Sequence, residues 1–201
     1  MTDNFANRAA DWDQPSKIEM TDIFVSAMLK KITPKKHWKA LEIGAGTGLV
    51  GLQIVPKVKT VVFEDTSEAM LSVLKEKLTS NKNVEIVHGE ITDYTEQDID
   101  FVFSCMAFHH IPDIDSTLKH LYHISNSGAT IVIGDIRTED GSFHHFEPIP
   151  HQGFDTDELS GKFTNAGFKV LSAETYHVLK RERLPGVIGE YEQFMLIAEK
   201  K

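Results

Sequence analysis

Three glycines at alternate positions follow an apolar segment that ends in an acid, in the sequence LEIGAGTGL at residues 41–49. Glycine lets the backbone turn sharply and approach a ligand closely. A helix after such a loop, which we expect near Thr47 to Val55, directs unpaired N–H groups at the same place. The stretch predicts a strand, a binding loop and a helix, with a nucleotide-type cofactor against the loop.

The glycine spacing discriminates between cofactor classes. A dinucleotide fingerprint of the form G-x-G-x-x-G requires a third glycine at position 49, where this chain has Leu49. A second apolar strand, Thr60 to Glu64, ends in Glu64-Asp65 about twenty residues after the glycines. An acid at that distance is where a ribose-binding carboxylate is expected.

The pattern Glu42-x-Gly44-x-Gly46-x-Gly48 resembles motif I of the class I S-adenosylmethionine-dependent methyltransferases, and DTSEAML at 65–71 is similar to that family's second motif. The resemblance implies S-adenosylmethionine as cofactor and a ribose contact from Asp65. An alternative stays open. Glu64 or Asp65 would also favour the positive N-terminus of the next helix, with Thr66 or Ser67 as its N-cap.

Two further segments carry the resemblance. HGEI at 88–91 is similar to the adenine-binding segment, in which Asp is commoner than the Glu90 found here; a solvated strand-end acid is the alternative. DFVFSCMAFHHIPD at 100–113 is similar to the family's fourth strand and the loop after it. The cofactor-binding positions implied by these motifs are Glu42, Gly44, Ala45, Gly46, Gly48, Glu64, Asp65, Thr66, Gly89, Glu90, Ile91, Ser104 and Met106.

The adjacent residues His109 and His110 are the candidate catalytic groups. Methyl transfer to an O–H or N–H group requires in-line approach and a proton acceptor, and histidine titrates near neutrality. A packing role is the alternative, although two adjacent histidines cannot both face the core. The segment lacks the Asn/Asp-Pro-Pro-aromatic tetrad of enzymes that methylate amino groups in DNA and RNA, which favours a small molecule.

The substrate wall is predicted from two histidine-rich loops and the N-terminal segment. DGSFHHF at 140–146 and HQGFD at 151–155 resemble a methyltransferase subgroup loosely akin to quinone-biosynthesis enzymes. Phe5 and Trp12 precede a helix predicted over Lys17 to Ile32 and either cap the pocket or pack on the sheet edge. The candidate substrate residues are Phe5, Trp12, His144, His145, His151 and Phe154.

A metal site in these loops is the rival hypothesis. The side chains of Asp135, His144, His145, His151 and Asp155 are of metal-ligating types. Their spacing matches no known metal motif, so we predict that no metal is bound.

Strands and helices alternate along the chain, which indicates a parallel sheet with right-handed crossovers. After Glu64 the strands are expected at Val84 to His88, Phe101 to Ser104, Ala129 to Asp135, Lys169 to Tyr176 and Gln193 to Glu199. The resemblance implies a Rossmann-like α/β/α sandwich of seven strands, the last antiparallel. We expect one domain over 1–201, with a helical cap at 1–36, a cofactor half at 37–135 and a substrate-side part at 136–201.

Charge, apolar segments and cysteine content limit the classes of partner and the cellular compartment that we expect. The net charge of −9 disfavours an electrostatic grip on nucleic acid. No segment approaches the roughly 20 apolar residues of a membrane span, no signal segment is recognised, and Cys105 alone cannot form an internal disulfide. We therefore expect a cytoplasmic methyltransferase acting on a small molecule. The rivals are a nicotinamide or flavin oxidoreductase and a non-catalytic module that binds S-adenosylmethionine or a metal.

Overall fold

A seven-stranded sheet in the order β3-β2-β1-β4-β5-β7-β6 organises the computed structural model, which describes residues 6–78 and 83–201. Strands β1 to β5 pair in parallel, and β7 pairs antiparallel with both β5 and β6. Helices cover both faces. The predicted α/β sandwich with an antiparallel last strand is confirmed.

The elements alternate as predicted. The strands are β1 (Lys39–Ile43), β2 (Thr60–Asp65), β3 (Val84–His88), β4 (Ile99–Cys105), β5 (Ser125–Ile136), β6 (Phe168–Leu184) and β7 (Val187–Lys200). The α-helices are α1 (Pro15–Lys31), α2 (Gly51–Ile54), α3 (Glu68–Lys77), α4 (Ile114–Ile124) and α5 (Thr156–Asn165). Short 3-10 helices lie at Ala6–Asp11, Val55–Lys57, Ile91–Asp93, Phe108–His110 and Ser142–His144.

The core has two layers because successive side chains of a buried strand point to opposite faces. On β1, Leu41 packs in the layer beneath α4 and α5, whereas Ala40 packs in the layer beneath α1, α2 and α3. Both faces of the central strands are therefore apolar, as parallel sheets covered by helices require. This frame brings the carboxyl ends of β1, β2, β4 and β5 to one edge.

Two elements differ from the predicted lengths. The helix expected over Thr47 to Val55 is only the single turn of α2, because Gly48 has φ +83° and Pro56 starts a separate 3-10 turn. Strand β6 extends well past Tyr176, and strand β7 starts well before Gln193. Together they form a long hairpin around Gly186. The extension was not predicted because residues 180–183 are polar and lack the apolar pattern of a buried strand. Polar residues are tolerated there, since a projecting hairpin is not buried on both faces.

The N-terminal helix is confirmed within two residues of its predicted ends. Phe5 lies outside the described residues. Among the helices of residues 6–78 and 83–201, none is long and apolar enough to cross a membrane.

Candidate active site

The glycine loop is held by the end of β2. Gly44, Gly46 and Gly48 have φ of +66°, +54° and +83°, which other residues rarely adopt. The backbone nitrogen of Gly44 donates to Glu64 Oε2 at 3.3 Å, and that of Gly46 donates to Asp65 Oδ2 at 2.6 Å. The two strand-end acids predicted from sequence therefore shape the loop directly.

The contacts of the second acidic motif bear out the helix-start interpretation, with Ser67 as the N-cap. Ser67 is the N-cap of α3 and accepts a hydrogen bond from the Met70 backbone nitrogen. Asp65 Oδ1 accepts from the Ser67 nitrogen at 2.8 Å, while Thr66 is exposed. Asp65 thus joins the helix start to the glycine loop, at the place where a ribose contact is expected.

Two buried carboxyl groups lie beneath the loop. Burial, reinforced by the nearby Asp65 carboxylate, raises the pKa of Glu64 to about 8. Burial likewise raises the pKa of Glu42 well above its usual range. Within the described part of the chain, Glu42 Oε2 has no hydrogen-bond partner. This oxygen faces Gly51 at the start of α2, whose backbone opposes the rise in the Glu42 pKa.

The glycine loop touches the histidine loop through one contact. A Cβ placed on Gly44 would lie 2.3 Å from the Ala107 Cβ. Ala107 immediately precedes the 3-10 turn Phe108–His110, which carries the two candidate catalytic histidines. Only glycine at position 44 allows this approach, so the loop glycine also sets the position of the histidines.

The N-terminal segment lies against the glycine loop. The indole nitrogen of Trp12 lies 3.9 Å from the position of a Cβ on Gly46. Thr47 Oγ1 donates to Asp13 Oδ1 at 2.6 Å, and Lys77 Nζ pairs with Asp13 Oδ2 at 2.5 Å. These two contacts of Asp13 join the N-terminal segment to the glycine loop and to α3.

The segment after β3 forms a tight turn. The Glu90 backbone nitrogen donates to Asp93 Oδ2 at 2.9 Å, and the Glu90 side chain accepts from the Asp93 backbone in a reciprocal capping box. Gly89 is required, because a Cβ there would clash with the Asp93 carboxylate. Glu90 is exposed and Ile91 is buried.

Two predicted cofactor positions on and after β4 have partners inside the protein. Ser104 is fully buried and its hydroxyl donates to the Ile43 carbonyl at 3.1 Å, joining β4 to β1. Met106 has φ +56°, and its sulfur accepts from Gln193 Nε2 at 3.1 Å. Ser104 therefore fixes the two central strands, while Met106 begins the histidine loop.

His109 is bound to a buried carboxylate at the end of β5. His109 Nδ1 lies 2.6 Å from Asp135 Oδ1, and the His109 backbone nitrogen donates to Asp135 Oδ2 at 3.1 Å. The side chains are 1% and 0% exposed. When Nδ1 carries the shared proton, Nε2 keeps its lone pair, and His109 Nε2 lies 3.2 Å from His144 Nε2.

A cluster of three imidazoles, which we call the histidine cluster, comprises His109, His110 and His144. Burial, followed by the neighbouring His109, lowers the pKa of His110 to about 3 and that of His144 to about 4. One ligating nitrogen from each ring lies within 4.8 Å of the others. Neutral imidazoles of this kind accept protons weakly near pH 7 and offer lone pairs.

The remaining predicted wall residues are dispersed. His145 is exposed and lies 3.2 Å from an Arg181 guanidinium nitrogen through its Nε2. His151 Nε2 lies 3.0 Å from the Ile111 carbonyl, so this ring braces the histidine loop. Phe154 is a core residue, packed between Phe108 and Phe194. Of the predicted wall residues in the described part of the chain, His144 places its ring beside the candidate catalytic pair, and the His151 backbone nitrogen donates to the His109 carbonyl at 3.2 Å.

The sequence interpretation missed the role of Asp135. It was considered only as one member of a metal set with residues 144–155, whereas the structure pairs it with His109. A signal was present, because Asp135 follows a buried apolar strand just as Glu42 and Asp65 do. Acids at such strand ends converge at one edge of a parallel sheet.

Residues 40–128 match the methyltransferase domain family. The chain is 26% identical over 191 residues to malonyl-[acyl-carrier protein] O-methyltransferase 1 of Ilyobacter polytropus, covering 85% of this chain and 67% of that protein. It is 29% identical over 136 residues to demethylmenaquinone methyltransferase of Staphylococcus aureus, covering 64% and 56%. The chain thus spans about two thirds or less of the length of these relatives.

The fold is shared with a S-adenosylmethionine-dependent methyltransferase from Aquifex aeolicus, at 22% identity with a TM-score of 0.72 over 98% of both chains. The sheet order and the glycine loop define a Rossmann-like α/β fold. Over residues 40–128 the chain is similar to methyltransferases.

Proposed function

We propose that this chain transfers the methyl group of S-adenosylmethionine to a small molecule. The contact between Gly44 and Ala107 carries the proposal, because it joins a cofactor loop to a histidine loop at one edge of the sheet. Ligands of doubly wound sheets bind at that edge. A methyl donor on one loop would therefore face groups able to orient an acceptor on the other.

The cofactor side is assigned from the loop geometry. Gly44, Ala45, Gly46 and Gly48 would surround the methionine and ribose parts, and the buried Glu42 would orient the loop from beneath. Asp65, with Glu64 and Thr66 beside it, would bind the ribose, since a carboxylate oxygen has capacity for a second donor.

The adenine would lie against the turn after β3 and the start of the histidine loop. Gly89, Glu90 and Ile91 would form one side, with the exposed Glu90 carboxylate facing the exocyclic amine. Ser104 and Met106 would border the other side. The bond between Ser104 and Ile43 assigns that residue a positioning role rather than a direct contact.

The acceptor side is assigned to the histidine cluster. Asp135 would orient His109 so that Nε2 receives a proton or holds the acceptor, and His110 and His144 would line the same space. Trp12 would close the pocket above the loop. His145, His151 and Phe154 would form a surrounding shell, and Phe5, outside the described residues, stays a prediction from the sequence.

A small molecule is favoured over nucleic acid because the chain carries a net charge of −9. The acceptors named for the relatives, a malonyl-acyl-carrier protein and demethylmenaquinone, define a chemical range from which to screen. The sole cysteine, Cys105, fits a cytoplasmic location.

Isothermal titration of the full chain with S-adenosylhomocysteine, using NAD⁺ as the comparison ligand, tests the cofactor site. Binding of S-adenosylhomocysteine alone is expected. Tighter binding of NAD⁺ would identify an oxidoreductase instead. If cofactor binds but no methyl transfer occurs across a panel of thiols, phenols, quinols and carboxylic acids, a non-catalytic binding module is favoured.

A further inference from the structure

We propose that His109, His110 and His144 bind a divalent transition-metal ion, with Asp135 as the residue that orients His109. This proposal departs from the expectation that no metal is bound, and its ligand set differs from the loop residues considered in the sequence. His109 and His110 are adjacent in one loop and His144 lies in another, so no single spacing motif marks the set. They meet because β4 and β5 are neighbours in the sheet.

The separations fit a shared ion. Imidazole nitrogens bind Zn²⁺ at about 2.0–2.1 Å, so two ligands of one tetrahedral ion lie about 3.3–3.4 Å apart. His109 Nε2 and His144 Nε2 are 3.2 Å apart. The three ligating atoms lie within 4.8 Å of one another, and a rotation of the half-buried His110 ring would close the remaining gap.

The buried surroundings of His109 are those of a metal-ligating histidine. Such a ligand usually donates its second ring N–H to a carboxylate, which fixes the tautomer and points the other nitrogen at the metal. Asp135 accepts from His109 Nδ1 at 2.6 Å and is itself held by the Ile136 backbone nitrogen at 2.7 Å. His109 Nε2 is thereby left as the ligating atom.

His144 supplies an independent observation. Its Nδ1 is buried and has no hydrogen-bond partner among the described residues, whichever tautomer the ring adopts. A hydrogen bond to His109 alone therefore leaves the ring incompletely satisfied. The hydrogen bonds of the described residues therefore do not account for the position of this ring, whereas a shared ligand at the cluster would.

Three imidazole ligands leave coordination positions open, as in catalytic rather than structural metal sites. The cluster adjoins the cofactor loop through Ala107 and Gly44. The open position would hold an oxygen or sulfur atom of the acceptor, which points to thiols, hydroxy acids and oxo acids. This assignment to the acceptor rests on the proposed function, whereas the metal site itself does not.

The test is Co²⁺ binding to the full chain, stripped with a chelator and freed of any polyhistidine tag. One Co²⁺ per chain is expected, with the visible d–d absorption of a four- or five-coordinate site and displacement by Zn²⁺. His144→Ala and His110→Ala should each weaken binding at least tenfold. Asp135→Asn should weaken it by about 10- to 100-fold.

The matched control is His145→Asn. This histidine adjoins His144 but lies outside the cluster, and its φ of +53° suits asparagine. It should bind Co²⁺ as the unsubstituted chain does. His109 is left intact, since removing a fully buried partner of Asp135 threatens folding; circular dichroism checks the other variants. Equal Co²⁺ affinity in the unsubstituted chain and His144→Ala, or no stoichiometric site, would overturn the proposal.

The same samples are titrated with S-adenosylhomocysteine. Cofactor binding without metal binding overturns the metal site and leaves the proposed function standing. Metal binding without cofactor binding supports the metal site and counts against the methyltransferase proposal.

Discussion

Asp65 bridges the glycine loop and helix α3, with one carboxylate oxygen 2.6 Å from the Gly46 nitrogen and the other 2.8 Å from the Ser67 nitrogen. One side chain therefore couples the shape of the cofactor loop to the start of the following helix. A ligand that contacts Asp65 therefore affects both the glycine loop and helix α3.

Asp65→Ala is expected to weaken S-adenosylhomocysteine binding by about 1–3 kcal/mol, the scale of lost hydrogen bonds to a charged group. Calorimetric titration measures the change. Asp115→Ala, which removes an exposed aspartate on α4, is the control and should bind normally. Unchanged affinity in a folded Asp65→Ala chain would remove this residue from the cofactor site.

Gly44→Ala should destabilise the chain by about 2 kcal/mol or more, because the new Cβ meets Ala107 and the backbone has φ +66°. Gly128→Ala shares the positive φ but meets no described atom within 4 Å, so it should lose only about 1 kcal/mol. Urea denaturation measures both. Adding Ala107→Gly should restore part of the loss in Gly44→Ala, and a purely additive double variant would refute the contact.

The raised pKa of Glu64 leads us to expect that the free energy of unfolding depends on pH. Its folded pKa of about 8 exceeds its ordinary value of 4.5, so the folded chain keeps a proton that the unfolded chain releases. The stability contribution is present below about pH 4.5 and is lost as pH rises to 8, at up to about 1.4 kcal/mol per pH unit.

Glu64→Gln removes this titration, so its free energy of unfolding should fall less than that of the unsubstituted chain between about pH 5 and pH 8. Denaturant titrations at several pH values give the two slopes. Glu96→Gln replaces an exposed acid and should follow the unsubstituted chain. Identical slopes for Glu64→Gln and the unsubstituted chain would show that Glu64 is ionised when folded.

Asp135→Asn and His110→Ala should each reduce methyl transfer by about 100-fold or more while leaving S-adenosylhomocysteine affinity unchanged, because both act on the acceptor side. Initial rates with an acceptor found in the panel, together with calorimetry, separate the two effects. Asp113→Asn is the control, since asparagine is an equally good helix N-cap. Normal rates in both variants would show that Asp135 and His110 only pack in the structure and do not take part in methyl transfer.

Trp12→Ala should weaken S-adenosylhomocysteine binding about fivefold to tenfold, through loss of the aromatic cover over Gly46. Trp12→Phe keeps most of the apolar surface and should recover part of the affinity. Calorimetry and the free energy of unfolding are measured together. A loss of stability without a loss of affinity would place Trp12 in packing alone.

The central strands and glycine loop were predictable because their signals are local: apolar runs, alternate glycines and strand-end acids. The pairing of His109 with Asp135 was not, since it joins residues 26 positions apart and depends on the register of β4 and β5. The extension of β6 past Tyr176 was missed because polar residues are tolerated on a hairpin that projects from the sheet.

The position of β7 between β5 and β6 imposes an order on assembly. Residues 187–200 fill the space beside β5, so β6 cannot join the sheet until β7 has been synthesised and inserted. Gln193, which contacts Met106 at the start of the histidine loop, arrives with that strand. The histidine loop therefore acquires this support only when β7 is in place, and loss of β7 would leave β5 as an open edge prone to self-association.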